Sequence, residues 1–519
     1  MSKGTFRYTF CVVVGFAAIL RYRGLFANTF HADEALFASW ARLIAVWRDP
    51  LLLTQTVDKP PLLFYLQALF YPLLGPVEWA GRLPNFVASL LLVPLVARLV
   101  LKLYRDRWVA TVAAIFVALS PLAIQFSATA FTDPLLTAFL LASLIATSNK
   151  LQVASLPPAR RLVDSQTCSG FFFGLAIATK HQAWLFLPLL LGLAVLLRWR
   201  RRDWSRWLAG FIPVLLLLLL WEVSRTGSLT LWPAQIANFG GLRPIWSWEL
   251  WPRFRAWLTL SQYVFAPPLL LAGTVAVAVP LIKTWRSANG TAAFDLLFIL
   301  YLVAYGLLHW LLAIPIWDRY LLAATPVVAL VLSRGLRQIL DGQRWIGREK
   351  IRANLANFWF FATPSLVYPR SSLSVGVSSL VLLILLAVQL PGAWQARAGR
   401  FPIGGQPDAD QGASHVALAL GDAPYGTVLY DHWYSWQWRY HLFDRRVYVS
   451  WFPHPAALVE DLAIFGHDGS RRYLALPNSA TAAPVRRALT SSGFQLQPVP
   501  IDAQTNISLY QIITHRLTR

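Results

Sequence analysis

Charge is what this sequence has least of: 13% of its 519 residues are Asp, Glu, Lys or Arg, where a soluble globular chain carries about 25%. Acidic residues are the scarcer kind, 24 against 46 basic ones. The two cysteines, Cys11 and Cys168, lie in or beside apolar stretches, so no disulfide framework and no CxxC or Cys/His metal spacing is present. The net charge of +22 does not describe a nucleic-acid binder, because no basic stripe interleaved with aromatics lies on a polar domain. What the chain does have is long apolar sequence. Residues 211–223 hold an unbroken leucine run, and residues 373–390 are almost purely apolar. Runs of that kind belong in a bilayer. Lys3 and Arg7 precede the first apolar stretch as in a signal peptide. Arg21-Tyr22-Arg23 stands where a small-residue cleavage site would be, so an uncleaved first helix is expected.

Spans are expected near 8–26, 80–103, 108–126, 134–148, 169–180, 183–198, 207–223, 259–282, 294–313, 319–335 and 373–391, about 11 transmembrane helices. Those at 134–148 and 169–180 are shorter than the roughly 20 residues that cross a bilayer, which suggests half-helices around a cavity. Basic residues cluster on alternate short loops: Arg98, Lys102, Arg105 and Arg107; Arg198, Arg200, Arg201, Arg202 and Arg206; Arg334, Arg337, Arg344, Arg348, Lys350 and Arg352. The positive-inside rule then places the N-terminus in the cytoplasm and, with an odd number of spans, the tail outside. From Ala393 onward Gly, Pro and Asp appear and polar and apolar residues intermix. Short strand-like runs at 427–430 and 445–451 alternate with helical patterns at 456–465 and 483–491. The expected organisation is an α-helical polytopic membrane domain over 1–392 and a small extracytoplasmic α/β domain over 393–519. Trp232, Trp246, Trp248, Trp251 and Trp257 fall in one outer loop, as an interfacial aromatic belt would.

The segment 28–81 is too long and too polar to be a plain connector. Two amphipathic stretches, 33–47 and 62–74, flank Val57-Asp58-Lys59-Pro60-Pro61, and Asp33-Glu34 opens the first. The two prolines fix the backbone, and Pro60 holds Lys59 extended. Asp33, Glu34, Asp58 and Asp133 are expected at the outer edge of the apolar core. Ionisable groups there are costly unless paired or facing a water-filled cavity. A carboxylate in such a cavity can take a proton from an attacking hydroxyl or hold a metal, and a lysine beside it offers a compact cation for a phosphate. The plain alternatives are a helix cap at Asp133, a charged first turn at Asp33-Glu34 and a surface ion pair at Asp58-Lys59.

An Asp-Glu pair just after the first span, followed by Lys-Pro-Pro, resembles the GT-C glycosyltransferases. The nearest branch is the family 39-like one, with the protein O-mannosyltransferases and lipid A aminoarabinose transferases. Three further segments agree in order: the acidic stretch 127–134 ending Thr132-Asp133-Pro134, the run 174–180 ending Ala178-Thr179-Lys180, and Trp317-Asp318-Arg319-Tyr320-Leu321. The resemblance covers about residues 8–335 and implies the GT-C fold. It also implies transfer of a sugar from a polyprenyl-phosphate donor to an extracytoplasmic acceptor (a lipid, protein or cell-envelope glycan) by a multi-pass protein of a cell membrane, of bacterial inner-membrane type. By that resemblance Asp33 would be the general base, Glu34 its support and Asp133 the second acid. Lys59 would hold the lipid phosphate, with Lys180, Arg319 and Tyr320 as further contacts. Part of the family associates a divalent metal ion with the neighbourhood of Asp58, where relatives carry Glu, and His181 would be its second ligand here. No other cofactor and no nucleic-acid partner is implied. The rival reading is a polytopic transporter or lipid-linked sugar flippase, and the absence of repeated halves with interrupted helices tells against it.

Overall fold

The structure, a computed structural model, describes residues 2–149, 164–238, 242–267, 270, 290–338, 372–501 and 505–513. Among them four helices are long and apolar enough to cross a membrane: Gly4–Ala27, Glu78–Tyr104, Arg201–Thr226 and Thr291–Leu311. A fifth candidate is a bent pair. Arg107–Leu119 and Pro121–Ala128 meet at 60°, because Pro121 cannot continue the helix. There the Ser120 hydroxyl starts the second piece by accepting the Ala123 N–H at 3.4 Å.

The remaining expected spans are shorter or broken. Those at 134–148 and 169–180 are the helices Asp133–Ser148 and Ser165–Thr179. The one at 183–198 is a 3-10 turn, His181–Phe186, running into Leu187–Leu196. The one at 319–335 is a 3-10 turn, Asp318–Leu321, followed by a helix over 325–338. The span expected at 259–282 starts at the end of a separate helix, Leu250–Ser261, and most of it lies outside the described residues. The last, at 373–391, is Ser372–Arg397, which runs past the expected domain boundary at 392.

Ser165–Thr179 and Arg201–Thr226 touch backbone to backbone. A Cβ on Gly170 would lie 1.9 Å from the Trp207 carbonyl oxygen, and one on Gly210 would lie 2.0 Å from that of Thr167. Lipid tails are as apolar as leucine, so such small-residue contacts are what drive helices together in a membrane. The two amphipathic stretches of the first loop are the helices Ala32–Ala45 and Leu62–Leu74. Their facing aromatics are buried, with Phe64 lying 5.3 Å from Phe37 and 4.9 Å from Trp40, ring to ring.

The tail is a five-stranded sheet in the order β2-β1-β3-β5-β4, with β1 Thr427–Asp431, β2 Val447–Trp451, β3 Arg472–Pro477, β4 Gln495–Val499 and β5 Ile507–Ile513. β1 is parallel to β2 and β3, while β5 is antiparallel to β3 and β4. Both faces are covered. Tyr473 and Ala475 pack with Val416 and Trp438 on one side, and Leu474 and Leu476 with Leu458 and Leu489 on the other. The helix Ser435–His441 lies against Ala32–Ala45. There the Arg42 guanidinium donates to the Tyr440 carbonyl at 2.6 Å and pairs with Asp444. The tail thus sits directly over the first loop.

Candidate functional site

Two short helices of the membrane domain explain where the site is. Asp133–Ser148 would rise only about 24 Å at 1.5 Å per residue, less than the roughly 30 Å hydrocarbon core. Its N-terminus and the C-terminus of Ser165–Thr179 end side by side. Asp133 sits at the one end and Lys180 at the other, each on the side that its helix dipole favours. The Lys180 Nζ meets Asp133 Oδ1 at 2.6 Å. Above them lies a cavity of about 280 Å³ lined by Phe37, Asp58, Lys59, Pro60, Phe131, Thr132, Asp133, Thr179, Lys180, Gln235, Trp317, Arg319 and Tyr320. Of the residues singled out from charge and motif, Asp58, Lys59, Asp133, Lys180, Arg319 and Tyr320 line it, while Asp33 and Glu34 lie outside the lining, Asp33 in contact with Arg319.

Each cation at this cavity is matched by a carboxylate. Lys59 Nζ donates to both Asp58 oxygens, at 2.9 and 2.7 Å. The Arg319 guanidinium donates to Asp33 Oδ2 at 3.0 Å, and its face is held 4.3 Å from the Trp317 ring and 4.8 Å from the Phe131 ring. Burial alone would raise the Asp33 carboxyl, but Arg319 overrides it and brings the group below its ordinary value. Lys180 lies 4.7 Å over the Tyr320 ring. Asp133 Oδ2 is buried without a hydrogen-bond partner among the described residues, a cost met only where a further donor arrives. The arrangement presents three cations to an anion and leaves carboxylate oxygens facing the same space.

Glu34 is placed differently. It is fully buried behind the cavity, where it accepts the N–H groups of Ala130 and His31 and faces Arg82 at 3.9 Å. With His31 it forms the capping box of Ala32–Ala45. Burial pushes its carboxyl up to about 7, with Arg82 and the two N–H groups partly offsetting the effect. Through Ala130, Glu34 ties the start of the Asp33 helix to the backbone three residues before Asp133.

His181 is not among the lining residues. Neither of its ring nitrogens has a hydrogen-bond partner among the described residues, and the ring packs edge-on against Trp232 at 5.3 Å. Asp58 is engaged by Lys59. Among the described residues no three His, Cys, Asp or Glu side chains come together as a metal site.

Charge-based reading missed the aromatic walls and Gln235. Phe131 and Trp317 stand inside the quoted motifs, and their neighbours were the clue. Gln235, which donates to the Asp58 carbonyl at 2.7 Å, sits in the short helix Leu231–Asn238, which carries no motif. The sequence Asp431-His432-Trp433-Tyr434-Ser435 is a turn at the end of β1. The buried Asp431 accepts the N–H groups of Trp433 and Tyr434 and the Ser435 hydroxyl, at 3.2, 3.0 and 2.8 Å.

Residues 58–223 match the family model described as dolichyl-phosphate-mannose-protein mannosyltransferase. No curated protein matches. Among solved structures, ArnT from Cupriavidus metallidurans in its apo state is similar with a TM-score of 0.59 at 16% identity, covering 96% of this chain and 97% of its own. The same protein bound to undecaprenyl phosphate gives 0.58 at 17% identity over the same shares. The oligosaccharyltransferase of Archaeoglobus fulgidus in its apo form gives 0.54 at 13% identity, covering 92% of this chain and 70% of that one. These likenesses share the architecture described above, a helical membrane domain followed by a small sheet domain.

Proposed function

We propose that this chain is a membrane glycosyltransferase of the GT-C type, and that the cavity lined by Lys59, Lys180 and Arg319, with Asp33 held on Arg319, is where it cleaves a polyprenyl-phosphate-linked sugar. The observation that carries the proposal is the convergence of three cations from separate parts of the chain on one cavity. A lipid phosphate takes negative charge as it leaves, and fixed cations are what stabilise such a transition state. Two similar proteins have structures with a polyprenyl phosphate, undecaprenyl phosphate for ArnT and dolichol-phosphate for AglB, which supports the same class of donor here.

In this reading the bond between the sugar's anomeric carbon and the phosphate oxygen breaks. The acceptor's nucleophilic atom forms the new bond to that carbon, and its proton goes to Asp33 Oδ. Lys59, Lys180 and Arg319 receive the phosphate charge. When the phosphate engages Arg319, Asp33 loses its ion-pair partner and becomes a stronger base at the moment it is needed. Asp133 orients Lys180 and offers Oδ2 to a sugar or acceptor hydroxyl. Glu34 holds the frame, and Asp58 holds Lys59. The positive-inside arrangement of the basic loops supports an extracytoplasmic cavity and tail, with the acceptor arriving from that side as lipid, protein or envelope glycan.

The test is to supply the purified full-length protein with a labelled polyprenyl-phosphate sugar and candidate acceptors. Release of polyprenyl phosphate with the label on an acceptor is the expected result. A protein that moves the intact lipid-linked sugar across a vesicle bilayer and never breaks the sugar–phosphate bond would overturn it.

A further inference from the structure

The strand of chain that joins the last membrane helix to the α/β domain, residues 400–410, does not pass the site by; it threads through the backbone supporting it. The Gln125 amide donates to the carbonyls of Phe401 and Ile403, at 2.9 and 3.1 Å. Asn28 donates to the Gly405 carbonyl at 2.8 Å and Thr29 to that of Pro407 at 3.1 Å. The connector is thereby fixed to the approach of both acidic motifs, five residues before Asp33 and eight before Asp133. It also reaches the Arg319 loop. Asp318 Oδ1 accepts the N–H of Arg319 at 2.7 Å, and Asp318 Oδ2 accepts the N–H of Gly404 at 3.1 Å.

Gly404 has to be glycine for this contact. A Cβ there would lie 2.8 Å from the Phe126 ring and 3.1 Å from the Phe131 ring, and Phe131 is one of the two rings holding the Arg319 guanidinium. A single residue of the connector therefore touches Arg319 twice over, through Asp318 on the backbone side and through Phe131 on the side-chain side.

We propose that Asp318 is a positioning residue for Arg319, and that the Gly404 segment is the strut it braces against, so that the connector of the α/β domain is a working part of the donor-phosphate site. This rests on the reading of Arg319 as a phosphate contact. A guanidinium binds a phosphate in a fixed fork, so a tilt of its loop weakens donor binding more than it slows a donor that is already bound.

The experiment titrates a polyprenyl phosphate into full-length protein in detergent and measures kcat and KM for the corresponding lipid-linked sugar. Asp318→Ala and Gly404→Ala are expected to weaken binding and raise KM about tenfold with kcat changed much less. Asp318→Asn, which keeps one acceptor and the shape, should fall between wild type and Asp318→Ala and guards against a misfolded alanine variant. On an Arg319→Ala background Asp318→Ala should add no further loss, because its effect travels through Arg319. Wild-type affinity in Asp318→Ala and Gly404→Ala, or a loss that adds in full to that of Arg319→Ala, overturns the inference and leaves the function reading intact. Wild-type affinity in Arg319→Ala itself overturns both.

Discussion

The first loop and the α/β tail both carry an acidic residue beside aromatics, and the two carboxylates are used in opposite ways. Asp431 in the tail is satisfied within its own turn, by partners two to four residues on. Asp49 and Asp410 behave alike, each accepting two N–H groups and a hydroxyl from residues at most five away. Asp133, on the cavity wall, and Asp33, beside the cavity-lining Arg319, are instead met by Lys180 and Arg319, 47 and 286 residues distant in sequence. A carboxylate with local partners ends a helix or closes a turn. One whose partner comes from another part of the chain, at the wall of a cavity, is available to exchange that partner for a ligand. By this measure Asp58, paired with its neighbour Lys59, is the weaker of the two acids lining the cavity, and its part is to hold Lys59.

The largest effect that would break this comparison belongs to Asp33. Asp33→Asn is expected to slow sugar transfer by about 10²–10⁴-fold, the usual contribution of a positioned acid or base, while leaving the melting temperature near that of wild type. Wild-type turnover in that variant would make Asp33 one more capping residue. Asp431→Ala should do the reverse. It leaves two N–H groups without their acceptor and should lower stability by about 1–3 kcal/mol, with the transfer rate of the folded protein kept; a loss of transfer at unchanged stability would move the tail motif into the site.

Glu34 gives a smaller effect and sharpens the contrast within one turn of helix. Its folded-state carboxyl is raised to about 7 from an ordinary 4.5, so folding takes up a proton between those values. The stability it contributes is fully present below about 4.5 and is lost as pH rises through about 7. Glu34→Gln should flatten that part of the melting-temperature profile, and a profile as steep as wild type would show that Glu34 is not the buried group responsible.

Much of the membrane domain was legible because the bilayer leaves few choices: apolar length and loop charge dictate spans. The acidic and basic site residues were legible because charge in an apolar chain is expensive and so conspicuous. Their pairing was not, since nothing local says that Lys180 meets Asp133 while Arg319 meets Asp33. The bend at Pro121 and the break between the His181–Phe186 turn and Leu187–Leu196 were hidden inside continuous apolar runs. In the tail, β1 and β2 announce themselves, but Arg472–Pro477 shows no alternation because helices cover both its faces. Phe131 and Trp317 were lost among 72 aromatic residues, and the connector at 400–410 read only as a change of composition.

The account turns on the cavity receiving a lipid phosphate, and a thermal melt tests that directly. A polyprenyl phosphate and the matching polyprenol are each added to wild type and to Lys59→Ala at the same concentration. At about a hundredfold excess over its dissociation constant the phosphate should stabilise wild type by about 2.7 kcal/mol, the alcohol should do far less, and Lys59→Ala should lose most of the difference. Equal shifts from phosphate and alcohol, or a Lys59→Ala protein that still distinguishes them as wild type does, would contradict it.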